Sequence, residues 1–159
     1  MKVLNIHKRI INQPKQQVAN LLGTLASRED KIWPFENWPR MKFKEGIQPG
    51  AKGGHGPIRY SVETYDPNVL IQFRFYKPKG FNGIHKLEIS EIDETHTMLK
   101  HTIDMQTSGV GIFSWFFAIR WLHDALIEDA FDKVENNFGT TSKKTNWNLW
   151  VRFLRKVLK

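Results

Sequence analysis

Apolar and polar residues alternate with a period of two along much of the first two thirds of the chain. This alternation predicts a strand at residues 2–11 and further strands at residues 41–45, 55–65, 69–77, 84–92 and 97–107. Turn-forming residues such as Asp66, Pro67 and Asn68 separate successive strands. From residue 41 onward the intervals are too short for crossover helices, so the pattern predicts an antiparallel sheet.

Helical periodicity appears where the alternation stops. Pro14 stands at the start of a predicted helix whose apolar face contains Val18 and Leu22. Residues 112–138 repeat their apolar positions every 3.6 residues, and Gly139 follows them. We therefore expect one long helix near the end of the domain, laid with its apolar face against the sheet.

The segment GAKGGHGP, residues 50–57, contains four glycines. A phosphate-binding loop would continue with Gly-Lys-Ser/Thr and a helix, but an alternating segment follows instead. The glycines therefore predict a tight connection between strands, and anion binding is not favoured.

The order of elements, together with four segments, resembles the SRPBCC superfamily, which includes START domains, birch-pollen allergen-like proteins and polyketide cyclase/dehydrase-like proteins. The segments are GGHGPIRYSV at 53–62, IQFRF at 71–75, GFNGIHKLE at 80–88 and WLHDALIEDA at 121–130. The resemblance implies an α+β helix-grip fold over residues 1–139. In that fold a curved antiparallel sheet of about six or seven strands wraps a long C-terminal helix and leaves a deep apolar cavity. The glycine segment would lie near one end of the cavity, with Lys52 and His55 at its entrance.

Three histidines fall on the faces that the pattern turns inward. His85 alternates in phase with Leu87, His101 with Ile103, and His123 lies on the apolar side of the long helix. A buried polar group without a partner costs about 1–3 kcal/mol. These imidazoles are therefore either core residues bonded to neighbours such as Tyr60, or cavity residues that orient a ligand. They come from separate elements without short ligand spacing, so a metal site is not expected.

The predicted function is binding or carriage of a small hydrophobic molecule that is lipid-, polyketide- or isoprenoid-like, without a cofactor. Its candidate ligand-binding residues are those expected to face the sheet–helix interior: His85, His101, His123, Tyr60, Phe73, Phe75, Leu87, Ile103, Phe116 and Ile119.

A cyclase- or dehydratase-like enzyme acting on a carbonyl compound is the alternative, with a neutral imidazole as general base. No carboxylate is in phase with the histidines, since Glu63 and Asp104 alternate to the opposite faces of their strands. We expect Asp124 and Glu128 to pair with Arg120 on the solvated side of the helix.

The composition and charge of the chain exclude some kinds of site and function. The chain of 159 residues fits one domain, and the absence of cysteine excludes disulfides, thiolate metal sites and a cysteine nucleophile. Net charge is +8, but residues 140–159 contain six basic residues and no acidic one, which leaves +2 for the rest of the chain. A nearly neutral body argues against nucleic-acid binding.

The basic tail predicts an amphipathic helix at residues 147–159, with one apolar and one cationic arc. This helix could dock on its own domain, on a second copy or, as a membrane-surface adaptor, on anionic lipid. Residues 112–119 are apolar nearly all round the long helix, so a lid, a partner or the tail should cover them. The candidate contact residues of the tail are Trp147, Trp150, Arg152, Phe153, Arg155 and Lys156.

The N-terminus lacks the apolar run of a signal peptide, and no stretch approaches eighteen uninterrupted apolar residues. The expected location is the cytoplasm, with peripheral membrane association through the tail.

Overall fold

Seven antiparallel strands form one curved sheet in the computed structural model, which describes residues 1–139 and 142–158. Along the sheet the strands follow the order β1-β7-β6-β5-β4-β3-β2. Their bounds are β1 Lys2–Ile11, β2 Lys42–Phe43, β3 Lys52–His55, β4 Ile58–Asp66, β5 Leu70–Lys77, β6 Phe81–Glu91 and β7 Thr97–Thr107. The predicted antiparallel sheet is confirmed, and its first strand pairs with its last.

Helix α1 (Lys15–Leu22) follows β1, and the long helix runs from Val110 to Asn136. That long helix consists of α2 (Val110–Ser114), a π-helical turn (Trp115–Ile119) and α3 (Arg120–Asn136). By length and composition alone, this long helix could cross a membrane. No other helix among the described residues meets that test. Its C-terminal part is the core helix of the domain, because Ile127, Phe131 and Val134 are buried.

The core lies between the concave face of the sheet, α1 and α3. Alternating residues of the strands supply most of it, and its fully buried side chains include Ile11, Ile71, Leu99, Val18, Leu22 and Phe131. The strand alternation and the 3.6-residue period of the helices therefore identify the same interior. This agreement confirms the helix-grip architecture expected from the sequence.

The glycine-rich segment is a strand for half of its length, which corrects the prediction of a plain connection. Strand β3 pairs with β2 and β4, and the predicted strand at 55–65 begins only after a turn at Gly56 and Pro57. A Cβ on Gly53 would lie 2.4 Å from the Lys42 carbonyl oxygen, and one on Gly54, at φ 153°, would lie 2.0 Å from that of Ile58. The two glycines are therefore needed for close strand approach.

The tail forms helix α4 (Leu149–Val157) and docks on its own domain. Val151 and Leu154 are buried, and Asn148 caps the helix by accepting a bond from the Val151 amide at 2.9 Å. The cap explains why the helix begins two residues later than predicted. Lys159, part of the predicted cationic arc, lies outside the described residues.

Candidate ligand-binding cavity

A cavity of about 420 Å³ lies between the sheet, the long helix and α4. Its wall is mostly apolar. Strands β5, β6 and β7 contribute Phe75, Phe81 and Ile103, the long helix contributes Trp115, Ile119 and Leu126, and the segment after α1 contributes Trp33 and Trp38. Leu154, Arg155 and Leu158 close the side covered by the tail. The docked tail is thus part of the cavity wall.

Four histidines, His55, His85, His101 and His123, interrupt this apolar lining. Three come from the strands and His123 comes from α3. Strand alternation directs His85 and His101 inward, and the two residues are only 7% and 6% exposed. The rings form a row, with centroids 5.7 Å apart between His85 and His101 and 4.9 Å apart between His101 and His123.

Aromatic packing holds the His85 ring in place. It stacks on Phe73 and Phe75, with centroid distances of 4.7 and 4.8 Å, and meets Tyr60 edge-on at 4.6 Å. The Tyr60 hydroxyl bonds to His55 Nδ1 at 3.0 Å. Tyr60 is therefore not the hydrogen-bond partner of the three predicted histidines but the partner of the fourth.

The remaining imidazoles have unused nitrogens. Nε2 of His85, Nδ1 of His101 and both ring nitrogens of His123 are buried and make no hydrogen bond within the described residues. Burial lowers the pKa of His85 and of His101 well below 6.5, and neighbouring imidazoles lower it further. Burial also lowers the pKa of His55 to about 3. The cavity therefore presents neutral rings, which can donate or accept a hydrogen bond.

Nine of the ten predicted binding residues fall into two groups. His85, His101, His123, Phe75, Ile103 and Ile119 line the cavity. Tyr60, Phe73 and Leu87 are buried in the core behind the wall, which corrects the expectation that they line it. Their side chains point inward, as predicted, but they pack against other core residues instead of facing the cavity.

Phe116 points to solvent and is 56% exposed, so its predicted inward orientation is wrong. The physical reason is the π-helical turn at Trp115–Ile119, which contains Phe116 and adds a residue to one turn, so that Phe116 and the positions before it are rotated relative to those in α3. Trp115 faces inward in its place and is 4% exposed. An unbroken period of 3.6 residues could not have predicted this change.

Arg155 was predicted to contact a membrane or partner, but it stands at the cavity wall. Its guanidinium lies 4.6 Å from the centre of the Trp38 ring and donates to the Asn37 carbonyl, while its Nε is buried without a partner among the described residues. Trp147 is also turned toward the domain, where its Nε1 donates to Asp129 Oδ2 at 3.1 Å. Arg152, Phe153 and Lys156 are exposed.

The sequence predicts that the acidic face of α3 is solvated. The structure differs, because β1 packs against this face. His7 lies between two carboxylates, with Nδ1 2.7 Å from Glu128 Oε1 and Nε2 3.1 Å from Asp124 Oδ1. Burial opposes protonation of His7, but these bonds outweigh it and raise its pKa. The predicted Arg120–Asp124 pair is present at 3.8 Å. Sequence reasoning missed His7 because its partners lie more than a hundred residues away.

Arg9 extends this network; it lies two residues after His7, on the same face of β1. Its guanidinium bonds to Glu128 Oε2 at 2.7 Å, to Asp132 Oδ1 at 3.1 Å and to Glu135. One cation thus holds three carboxylates of α3 against the edge strand. The sequence signal was the alternation of β1, which places Asn5, His7 and Arg9 on its inward face.

Neither a scan against protein-family models nor a search of curated proteins finds a match for this chain. Solved structures with little sequence identity do match. A protein from Thermobifida fusca superposes with a TM-score of 0.68 at 13% identity, covering 91% of this chain and 99% of the other. Norcoclaurine synthase from Thalictrum flavum, in complex with dopamine and hydroxybenzaldehyde, gives 0.65 at 10% identity over 89% and 90%.

A START superfamily protein from Mycobacterium smegmatis gives a TM-score of 0.53 at 10% identity, over 84% of this chain and 95% of the other. These likenesses confirm the helix-grip fold expected from the sequence. They extend over nearly the whole domain.

Proposed function

We propose that this protein binds a small hydrophobic molecule of lipid-, polyketide- or isoprenoid-like chemistry in its internal cavity. The observation that carries the proposal is an apolar cavity lined by histidines whose buried nitrogens, like Nε of the lining residue Arg155, have no hydrogen-bond partner within the described residues. A volume of about 420 Å³ falls within the range of roughly 300–1,000 Å³ typical of small-molecule pockets.

The imidazoles define the polar part of the ligand. Neutral rings in a low-dielectric site favour hydroxyl or carbonyl groups, each of which would gain about 0.5–1.5 kcal/mol from a hydrogen bond. Because the rings form a row, a ligand with two oxygens several ångströms apart would satisfy more than one of them. A purely hydrocarbon ligand would leave their desolvation cost unrecovered.

Native mass spectrometry of the freshly purified protein tests this proposal. We expect an added mass that organic extraction releases and that is reduced in His101→Leu. His96→Gln is the matched control, because the His96 side chain is 41% exposed and does not line the cavity. A wild-type protein that carries no small molecule and fails to take up long-chain ketones or alcohols would overturn the proposal.

General-base catalysis on a carbonyl compound is a second candidate function. It is favoured by the placement of His123 between the cavity and Asp124, whose Oδ1 lies 3.6 Å from His123 Nδ1. The complex of norcoclaurine synthase with hydroxybenzaldehyde shows that a relative in fold can hold a carbonyl compound. Exchange of α-protons of a simple ketone in D₂O, followed by NMR, would reveal enolisation. His123→Gln should abolish it, whereas exchange at the buffer rate with wild-type protein would reject catalysis of this kind.

An anionic membrane surface is the proposed partner of the exposed apolar face, defined as Phe113, Phe116, Phe117, Trp150 and Phe153. These side chains are 65%, 56%, 57%, 42% and 52% exposed. The two helices that supply them adjoin, because Trp150 Nε1 donates to the Phe117 carbonyl at 2.9 Å. Arg152 and Lys156 flank the face and complement anionic lipid, each contributing about 1 kcal/mol near such a surface.

Sedimentation with phosphatidylserine-containing vesicles tests the membrane contact. Binding should weaken in salt and fall at least tenfold in Phe153→Ser combined with Arg152→Gln, while zwitterionic vesicles should bind poorly. Absence of binding to anionic vesicles would reject the membrane, and a concentration-dependent dimer lost in the same variant would assign the face to self-association. Cytoplasmic location with peripheral membrane association is part of this proposal.

A further inference from the structure

Three potential metal-ligating side chains meet between β1 and α3. They are His7, His123 and Asp124, and one donor atom from each lies within 4.8 Å of the other two. His7 Nε2 and His123 Nδ1 are 3.1 and 3.6 Å from Asp124 Oδ1. Ligand bonds of about 2.0–2.1 Å to tetrahedral Zn²⁺ imply ligand–ligand separations of about 3.3 Å. The two distances therefore bracket the value that a shared ion requires.

A second layer of bonds already orients these ligands. His7 Nδ1 lies 2.7 Å from Glu128 Oε1, so Glu128 can hold the ring with Nε2 toward the cluster. Arg9 binds Glu128 in turn, at 2.7 Å. A carboxylate on the distal nitrogen of a metal-binding imidazole is the usual outer-shell arrangement, and it fixes the ring tautomer.

The state of His123 is a separate observation that points to a missing partner. Both of its ring nitrogens are buried without a hydrogen bond in the described residues, and its side chain is 12% exposed. The neighbouring His101 has an Nδ1 that is likewise without a partner there, and the two ring centres are 4.9 Å apart. Asp124 is 31% exposed, which leaves a path for an ion to enter.

We propose that His7, His123 and Asp124 bind one divalent transition-metal ion, with Zn²⁺ as the best match to two imidazoles and a carboxylate. Glu128 is the positioning residue for His7. This site shares His123 with the cavity proposed above but takes His7 and Asp124 from outside the cavity lining, and metal binding can be measured without any organic ligand.

The experiment is a titration of the chelator-treated full-length protein with Zn²⁺ in competition with a chromophoric chelator, repeated with Co²⁺ to record its absorption spectrum. We expect one ion per chain and an intense visible Co²⁺ band typical of a four-coordinate site. His7→Gln and Asp124→Asn should each weaken Zn²⁺ binding at least a hundredfold, and Glu128→Gln should weaken it about 10–100-fold.

His96→Gln is the matched control, since His96 also pairs with a carboxylate, Asp93, at 2.9 Å on the surface. It should bind Zn²⁺ as the wild-type protein does. Two outcomes would overturn the proposal: no stoichiometric Zn²⁺ binding by the wild-type protein, or binding unchanged in both His7→Gln and Asp124→Asn. Circular dichroism of each variant confirms that it is folded, and the near-isosteric Asp124→Asn decides the question if another variant fails to fold.

Discussion

Replacing His85 by Phe should make the protein more stable while impairing its proposed binding function. The His85 ring already stacks on Phe73 and Phe75, so a phenyl ring can keep those contacts. The substitution removes a buried Nε2 that has no partner in the described residues. Such an orphaned group costs about 1–3 kcal/mol, and the adjoining cavity can accept the added volume without overpacking. We expect the free energy of unfolding at pH 7 to rise by about 1–2 kcal/mol.

Urea unfolding at equilibrium measures this change, and thermal unfolding should show a melting temperature about 2–8 °C higher. His96→Phe provides the surface control, with an expected change within about 0.5 kcal/mol. The same His85→Phe protein should bind a long-chain ketone about 5–10-fold more weakly, because one hydrogen bond is lost. Destabilisation by about 1 kcal/mol or more would show that His85 makes a stabilising bond in the free protein, and it would refute the argument from unsatisfied imidazoles.

Three further predictions concern pH, charge and packing. The lowered pKa values of His85 and His101 mean that only the unfolded chain gains these protons as pH falls below 6.5. Stability should therefore decrease from pH 6.5 downward, by up to about 1.4 kcal/mol per pH unit for each ring, and urea unfolding of His85→Gln should show a shallower decrease. Arg9→Met leaves three carboxylates of α3 without their shared cation, so urea unfolding should show a loss of about 2–4 kcal/mol, and an unchanged midpoint would contradict the network. Gly54→Ala places a Cβ 2.0 Å from a backbone oxygen, so we expect little soluble protein, and wild-type stability would contradict the close approach of β3 to β4.

Short-range patterns predicted the sheet and the core. Strand alternation identified the inward faces of β6 and β7, and thus placed His85 and His101 correctly at the cavity. The alternation rule works because each strand buries one face, so its apolar residues recur at every second position. The helix period was equally informative for His123, which lies after the π-helical turn.

Features that depend on distant partners could not be predicted. The π-helical turn changes the phase between Phe116 and His123, and nothing in the local composition marks it. His7 acquires its carboxylates only when β1 closes against α3. Arg155 has the sequence context of a cationic surface residue, and only the docked tail brings it onto Trp38. In each case three-dimensional packing supplied the information.

NMR of the histidine side chains, with ¹⁵N shifts followed against pH and against a long-chain ketone, tests whether neutral cavity imidazoles recognise the ligand. We expect the rings of His85 and His101 to stay neutral as the pH falls below 6.5 and their nitrogens to shift when the ketone binds, while the nitrogens of His96, which lies outside the cavity, do not respond to the ketone. Rings that protonate near pH 6.5 and ignore the ketone would contradict the claim that neutral imidazoles in an apolar cavity recognise the ligand.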